Sequence, residues 1–129
     1  MFTGVNTKNS VIIYRVCAIT FALVIFVASS FPGSKIPDLG FVLSDKVIHF
    51  FVFGLFGIFL YQAFRFSGSS KKPFLVTLCI GIPYAAFDEI HQLYVPGRYC
   101  GFGDFIADIL GILFFAGILV TLSRKKTAV

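Results

Sequence analysis

Apolar and polar residues alternate along this chain in long blocks. The first apolar block runs from about Val11 to Phe31 and stops at Pro32-Gly33. The second opens beside Asp45 and Lys46 and ends around Arg65, ahead of Ser67-Gly68-Ser69-Ser70. The third starts at Pro73, a residue suited to a first helical turn, and ends near Tyr94 before Pro96-Gly97. The fourth extends from Phe102 to Leu122 and meets Arg124-Lys125-Lys126. Each block approaches the roughly 20 residues a helix needs to cross about 30 Å of hydrocarbon. Glycine, proline and serine punctuate the gaps between them. The pattern predicts an all-α integral membrane protein, a bundle of four transmembrane helices over 11–31, 46–66, 73–94 and 102–122. Val27-Ala28-Ser29 offers a signal-peptide cleavage site, but the first block exceeds the roughly 7–15 apolar residues of a signal peptide.

Composition agrees. Of 129 residues, 57% are hydrophobic and 13% charged, against roughly 45–50% and about 25% in soluble domains. Eighteen phenylalanines and a mean hydropathy of +0.91 leave too little polar surface to coat a globule. Disorder is excluded by the same figures, and three cysteines make no disulfide framework. A net charge of +5 suggests no nucleic-acid partner, because such binding needs a basic face on a soluble body. The expected partner is the lipid bilayer. The length suits one domain, 1–129.

Charge then orients the chain. Lys8, Arg15, Arg65, Lys71, Lys72, Arg124, Lys125 and Lys126 fall on one side of a four-span topology. The positive-inside rule makes that side cytoplasmic and predicts both termini inside. All six acids, and both histidines, fall at the opposite, outer end.

The candidate chemistry lies there. Asp45 and His49 are four residues apart at the mouth of the second helix, as are Asp104 and Asp108 at the start of the fourth. Asp88, His91 and Gln92 have the i, i+3, i+4 spacing of one helix face. Asp38 and Lys35 read as solvated loop charges. Asp45 and Asp104 also suit helix N-termini, and Lys46 and Arg98 could lock helices by ion pairs. Asp88 and Glu89 sit at a helix C-terminus, where negative charge is disfavoured. Ionisable groups below the interface cost of order 2–3 kcal/mol at the helix centre, so this group reads as functional. Two chemistries fit. His49 or His91 could carry protons with a carboxylate orienting the ring, or two histidines and several carboxylates could hold a divalent metal. Arg98 suits a phosphate or carboxylate. An outer-leaflet site suggests lipid headgroups, lipid-linked cell-wall precursors or amphiphilic drugs as ligands. An ion pathway is poorly supported, since the inner halves of the spans offer only Thr20, Gln62, Thr77 and Thr121.

The remaining features read as scaffold. Gly81 and Pro83 predict a kink in the third helix. Gly54, Gly57, Gly111 and Gly117 predict close helix contacts. Tyr94 and Tyr99 suit an interface.

Ser44-Asp45-Lys46-Val47-Ile48-His49-Phe50-Phe51, Asp88-Glu89-Ile90-His91-Gln92, Pro96-Gly97-Arg98, Asp104 and Gly111 together resemble the VanZ-like membrane proteins. The motifs are Asp-Lys-x-x-His opening one helix, Asp-Glu-x-x-Gln closing the next, a Pro-Gly-Arg turn and an Asp-x-x-x-Asn segment. The likeness spans roughly residues 40 to 120. It implies a bacterial cytoplasmic (inner) membrane protein, in a family named for a protein associated with low-level teicoplanin resistance. Its signature covers Asp45, Lys46, His49, Asp88, Glu89, Gln92, Arg98 and Asp104. Two positions depart: Asp108 stands where the pattern usually has Asn, and Gly101 where it often has Ser or Asp. The resulting expectation is a site in which His49, Asp88, Glu89, His91 and Asp104 carry chemistry. Asp45, Lys46, Gln92, Arg98 and Asp108 would hold the ligand. The ligand implied is an envelope lipid or a lipoglycopeptide; the alternative expectation is a non-catalytic factor that binds a lipopeptide drug or a partner protein.

Overall fold

The computed structural model describes residues 7–35 and 44–127. Asp38 and the side chains of Lys125 and Lys126 lie outside the described residues. Helix α1 covers Thr7–Ser29 and is followed by a single 3-10 turn at Gly33–Lys35. Helices α2 (Ser44–Ser67), α3 (Pro73–Gln92) and α4 (Phe102–Thr127) complete the bundle, with no strand among the described residues. Four stretches, Lys8–Ser29, Asp45–Ser67, Pro73–Gln92 and Phe102–Arg124, are long and apolar enough to cross a membrane.

Several helix ends differ from the pattern's forecast, and α4 runs on past Leu122 to Thr127. Helix α1 starts four residues earlier than Val11, taking in Lys8. Helix α3 stops at Gln92 instead of Tyr94. The chain there must turn sharply into Pro96, and Gly97 adopts a φ of +72°, a region that side-chain-bearing residues avoid. The turn docks on the end of α1: Gly33 N–H donates to the Pro96 carbonyl at 3.0 Å. A Cβ at Gly33 would overlap the Gly97 carbonyl, so the two loops meet through bare backbone.

Helix α2 is the hub, packing on α4 most extensively and also on α1 and α3. Its large side chains Phe53, Phe56 and Leu60 are buried, and they cluster with Ala85 on α3, Ile112 on α4 and Ala18 and Ile25 on α1. Large-into-small packing supplies the dispersion that holds membrane helices together, since lipid is as apolar as the core. Gly111 brings α4 onto α2 so closely that a Cβ there would overlap the Phe50 carbonyl oxygen. Gly54 and Gly57 face Phe115 and Ile112 across the same seam. Gly117, expected to join them, has nothing among the described residues within 4 Å of its notional Cβ, because at about 100° per residue it lies on a different face of α4 from Gly111. Helix α1 is peripheral. Ile12, Ile13, Ile19, Leu23 and Val27 are more than half exposed, an outward face suited to lipid. Tyr84 pins α3 to α1 by donating to the Ala22 carbonyl at 2.6 Å. Helix α3 runs unbroken through Pro83 and buries the stripe Thr77, Gly81, Ala85, Asp88 and Gln92.

Candidate functional site

Three helices deliver polar side chains to the end of the bundle opposite the 68–72 linker. Lys46 on α2 meets Asp104 on α4, with Nζ 2.9 Å from Oδ1. Their side chains are 42% and 17% exposed, so this pair closes the rim and contributes less than about 1 kcal/mol. One turn deeper the burial is far greater. His49 Nδ1 lies 2.9 Å from Asp108 Oδ1, and the two side chains are 13% and 0% exposed. Helix α3 adds Glu89, whose Oε1 is 3.9 Å from the same His49 nitrogen.

Glu89 also organises the loop into α4. Its Oε2 accepts the Gly101 N–H at 2.8 Å. The Gly101 carbonyl in turn accepts from Asp104 N–H and Phe105 N–H, starting the helix. A Cβ at position 101 would meet the Asp104 carboxylate, so a side chain here requires that carboxylate to shift. The adjacent Cys100 thiol is pushed above its ordinary value by desolvation in the loop, and further by the Glu89 charge and a hydrogen bond to it. It is therefore a protonated thiol at neutral pH and a poor nucleophile.

Behind this trio Asp88 is fully buried and accepts Gln92 Nε2 at 3.2 Å. Asp88 Oδ1, Glu89 Oε1, Asp108 Oδ2 and Arg98 Nε are buried with no hydrogen-bond partner among the described residues. Leaving such groups unsatisfied costs about 1–3 kcal/mol apiece, more for charged groups, so structures retain them where a proton, ion or ligand engages them.

The structure separates residues that share a sequence motif. His91 does not join the cluster. Its Nε2 is 2.9 Å from Ser30 Oγ, and its ring stacks on Phe26 and Phe87 with centroids 4.6 and 6.3 Å away. The i, i+3, i+4 reading of Asp88, His91 and Gln92 as one face fails for a geometric reason. At about 100° per residue, His91 and Gln92 diverge by a quarter turn, and the buried stripe follows Asp88 and Gln92. Ser30, the partner of His91, carried no signal in the sequence. Asp45 is exposed at the rim. Arg98 is half-buried in the turn, with its N–H donated to the Val95 carbonyl at 3.1 Å, and it forms no ion pair among the described residues. The interhelix lock is thus made by Lys46 alone of the two cations considered for it.

An apolar groove of about 280 Å³ lies beside the rim between α2 and α4. Val47, Phe50, Phe51, Ala107 and Leu110 line it below the Lys46 stem. Lys46, paired with Asp104, thus stands above a hydrocarbon-lined slot.

A family model described as VanZ/LLP1 matches residues 6–123. The chain belongs to the VanZ/LLP1 family. No curated protein and no solved structure matches it. The matched stretch of this VanZ/LLP1 protein contains all four helices' apolar spans up to Ser123 and the whole polar cluster. Together, the match and the four spans make it a multi-pass membrane protein with its helices in contact with lipid.

Proposed function

We propose that this VanZ/LLP1 protein binds the headgroup of an outer-leaflet lipid or lipid-linked envelope component and acts on it, with His49 carrying the proton. The supporting observation is the buried His49–Asp108 pair at 2.9 Å, with the Glu89 carboxylate 3.9 Å from the same nitrogen. Donation from Nδ1–H to Asp108 fixes the ring and leaves Nε2 with its lone pair, the tautomer of a general base. The two carboxylates stabilise the imidazolium that forms when Nε2 takes a proton. Arg98, which forms no ion pair among the described residues, supplies positive charge for an anionic group, Lys46 joins it when the ligand displaces Asp104 from their pair, and the α2–α4 groove takes the apolar tail. Basic residues at the other end favour an orientation with both termini in the cytoplasm, which turns the site toward the outer face of the cytoplasmic membrane. In that setting the activity would lower susceptibility to teicoplanin-type glycopeptides.

Cells carrying the protein at matched membrane levels test this through surface binding of a fluorescent lipoglycopeptide. The wild type should lower binding relative to empty vector, His49→Gln should not, and His91→Gln should match the wild type. Equal lowering by wild type and His49→Gln would refute the acid–base role and leave the alternative, a factor that binds its ligand without reacting. No lowering by the wild type would remove the resistance role.

A second reading has its own support. One ligand atom each from His49, Glu89 and Asp108 lies within 4.8 Å of the others, and Glu89 and Asp108 each aim an unpartnered oxygen into the bundle. One imidazole and two carboxylates suit Zn²⁺ or a harder divalent ion. Calorimetric titration of chelator-treated protein with Zn²⁺, Mn²⁺ and Mg²⁺ should then show one saturable site, weakened more than about tenfold by Glu89→Gln. Absence of heat with all three ions would eliminate it.

A further inference from the structure

A second groove lies at the opposite end of the bundle, with a volume of about 380 Å³. Its walls include Lys71, Lys72, Phe74, Leu75, Val120 and Arg124, contributed by the linker, the start of α3 and the end of α4. Three cations rim it, and all three residues are exposed. Below them the lining turns apolar, down to Tyr61. Tyr61 is itself buried and lies six residues, or about 9 Å, inside the end of α2. The groove thus runs from the level of the helix ends, where headgroups sit, into the hydrocarbon layer.

Its electrostatics are one-sided. Asp45, Asp88, Glu89, Asp104 and Asp108, the five acids among the described residues, all belong to the other end. Lys71, Lys72 and Arg124 therefore face no compensating carboxylate from the described chain. The start of α3 adds to the same field. Lys72 at its N-cap makes no side-chain capping bond, Pro73 follows, and the first turn holds no acid. The first-turn N–H groups consequently carry their partial positive charge without a side-chain cap, at the same end of the bundle as the groove.

We infer that this groove seats an anionic phospholipid, its phosphate between Lys71, Lys72 and Arg124 and the upper part of an acyl chain against Phe74, Leu75 and Val120. A free phosphate would use the cations and leave the apolar floor without a role, and an acidic peptide would need the groove to open to water along its length. A membrane lipid matches both halves. The inference is independent of the chemistry proposed at the other end.

Native mass spectrometry of the full chain in neutral detergent tests it, with phosphatidylglycerol titrated against phosphatidylcholine. Wild type should retain phosphatidylglycerol preferentially. The variant Lys71→Gln/Lys72→Gln/Arg124→Gln should weaken that retention by on the order of 100-fold, at about fivefold per cation. A charge-matched control, Lys8→Gln/Arg15→Gln/Arg65→Gln, removes three cations outside the groove and should keep most of the preference. Leu75→Trp keeps every charge but fills the slot, and should also lower retention; as Leu75 is half exposed, this variant tests the seat without loss of fold. Equal losses in both triple variants would mean diffuse attraction and overturn the proposal. So would displacement of phosphatidylglycerol by an equal concentration of inorganic phosphate, or full retention by Leu75→Trp.

Discussion

Gly111→Leu should leave no folded bundle to purify, and Gly111→Ala should cost about 3 kcal/mol. The reason is local and severe. The atom a Cβ would meet is the Phe50 carbonyl oxygen, which belongs to the α2 backbone and cannot swing aside as a side chain would. The Gly54 amide nitrogen and Phe50 carbonyl carbon stand 3.0 Å away behind it. Relief requires α2 and α4 to separate along the most extensive helix interface in the bundle. Separation would also withdraw Asp108, one turn from Gly111, from His49, and Asp104 from Lys46. Gly117→Ala is the matched control, for its notional Cβ has open space and the change should alter stability by less than about 1 kcal/mol. Unfolding of the purified proteins in detergent, followed by helical circular dichroism, measures the difference. If Gly111→Ala proves as stable as Gly117→Ala, the tight α2–α4 seam is wrong.

The second large effect belongs to Asp108. Asp108→Ala should lower the proposed activity by about 100-fold or more, the usual loss when a positioned proton carrier is released. The substitution removes the acceptor that holds His49 Nδ1 at 2.9 Å and opens a gap in a fully buried position. Asp108→Asn should behave differently. Its amide oxygen can still accept the Nδ1 hydrogen, so the ring stays oriented while a negative charge is lost beside the imidazolium. That variant also restores the residue usual in the VanZ-like pattern. The expected result is partial activity for Asn and none for Ala, with both proteins accumulating in the membrane, read by the same lipoglycopeptide-binding measurement. Equal activity in Ala and Asn would show that orientation of His49 by residue 108 is irrelevant.

Much of the architecture was legible in the order of residues. A run of about 20 apolar residues in lipid has one way to satisfy every backbone N–H and C=O, which is to form a helix. Four such runs therefore specify four helices whatever their neighbours, and the structure agrees to within a few residues at each end. The grouping of acids and histidines at one end followed equally from counting spans, as did the association of Lys46 and His49 with one helix and Asp104 and Asp108 with another.

Which of those residues meet was a different matter. His49 and Asp108 are 59 positions apart, and Glu89 comes from a third helix. Their convergence depends on how far each helix is rotated about its own axis. A water-soluble helix declares its inward face by hydrophobic periodicity, but these helices are apolar nearly all round because their outward faces meet lipid. Rotation is set instead by shape: Gly111 against the Phe50 carbonyl, Phe53 and Phe56 against Ala85 and Ile112, Tyr84 against the Ala22 carbonyl. The same packing sends His91 toward Ser30 and Phe26, although its motif places it two residues from Glu89. The sequence by itself thus determined the helices, their number and the end at which the polar residues collect, because backbone hydrogen bonding and the bilayer's thickness act on each segment alone. Only the tertiary structure decided that His49, Glu89 and Asp108 converge and that His91 stands apart, because that choice rests on the close fit between helices.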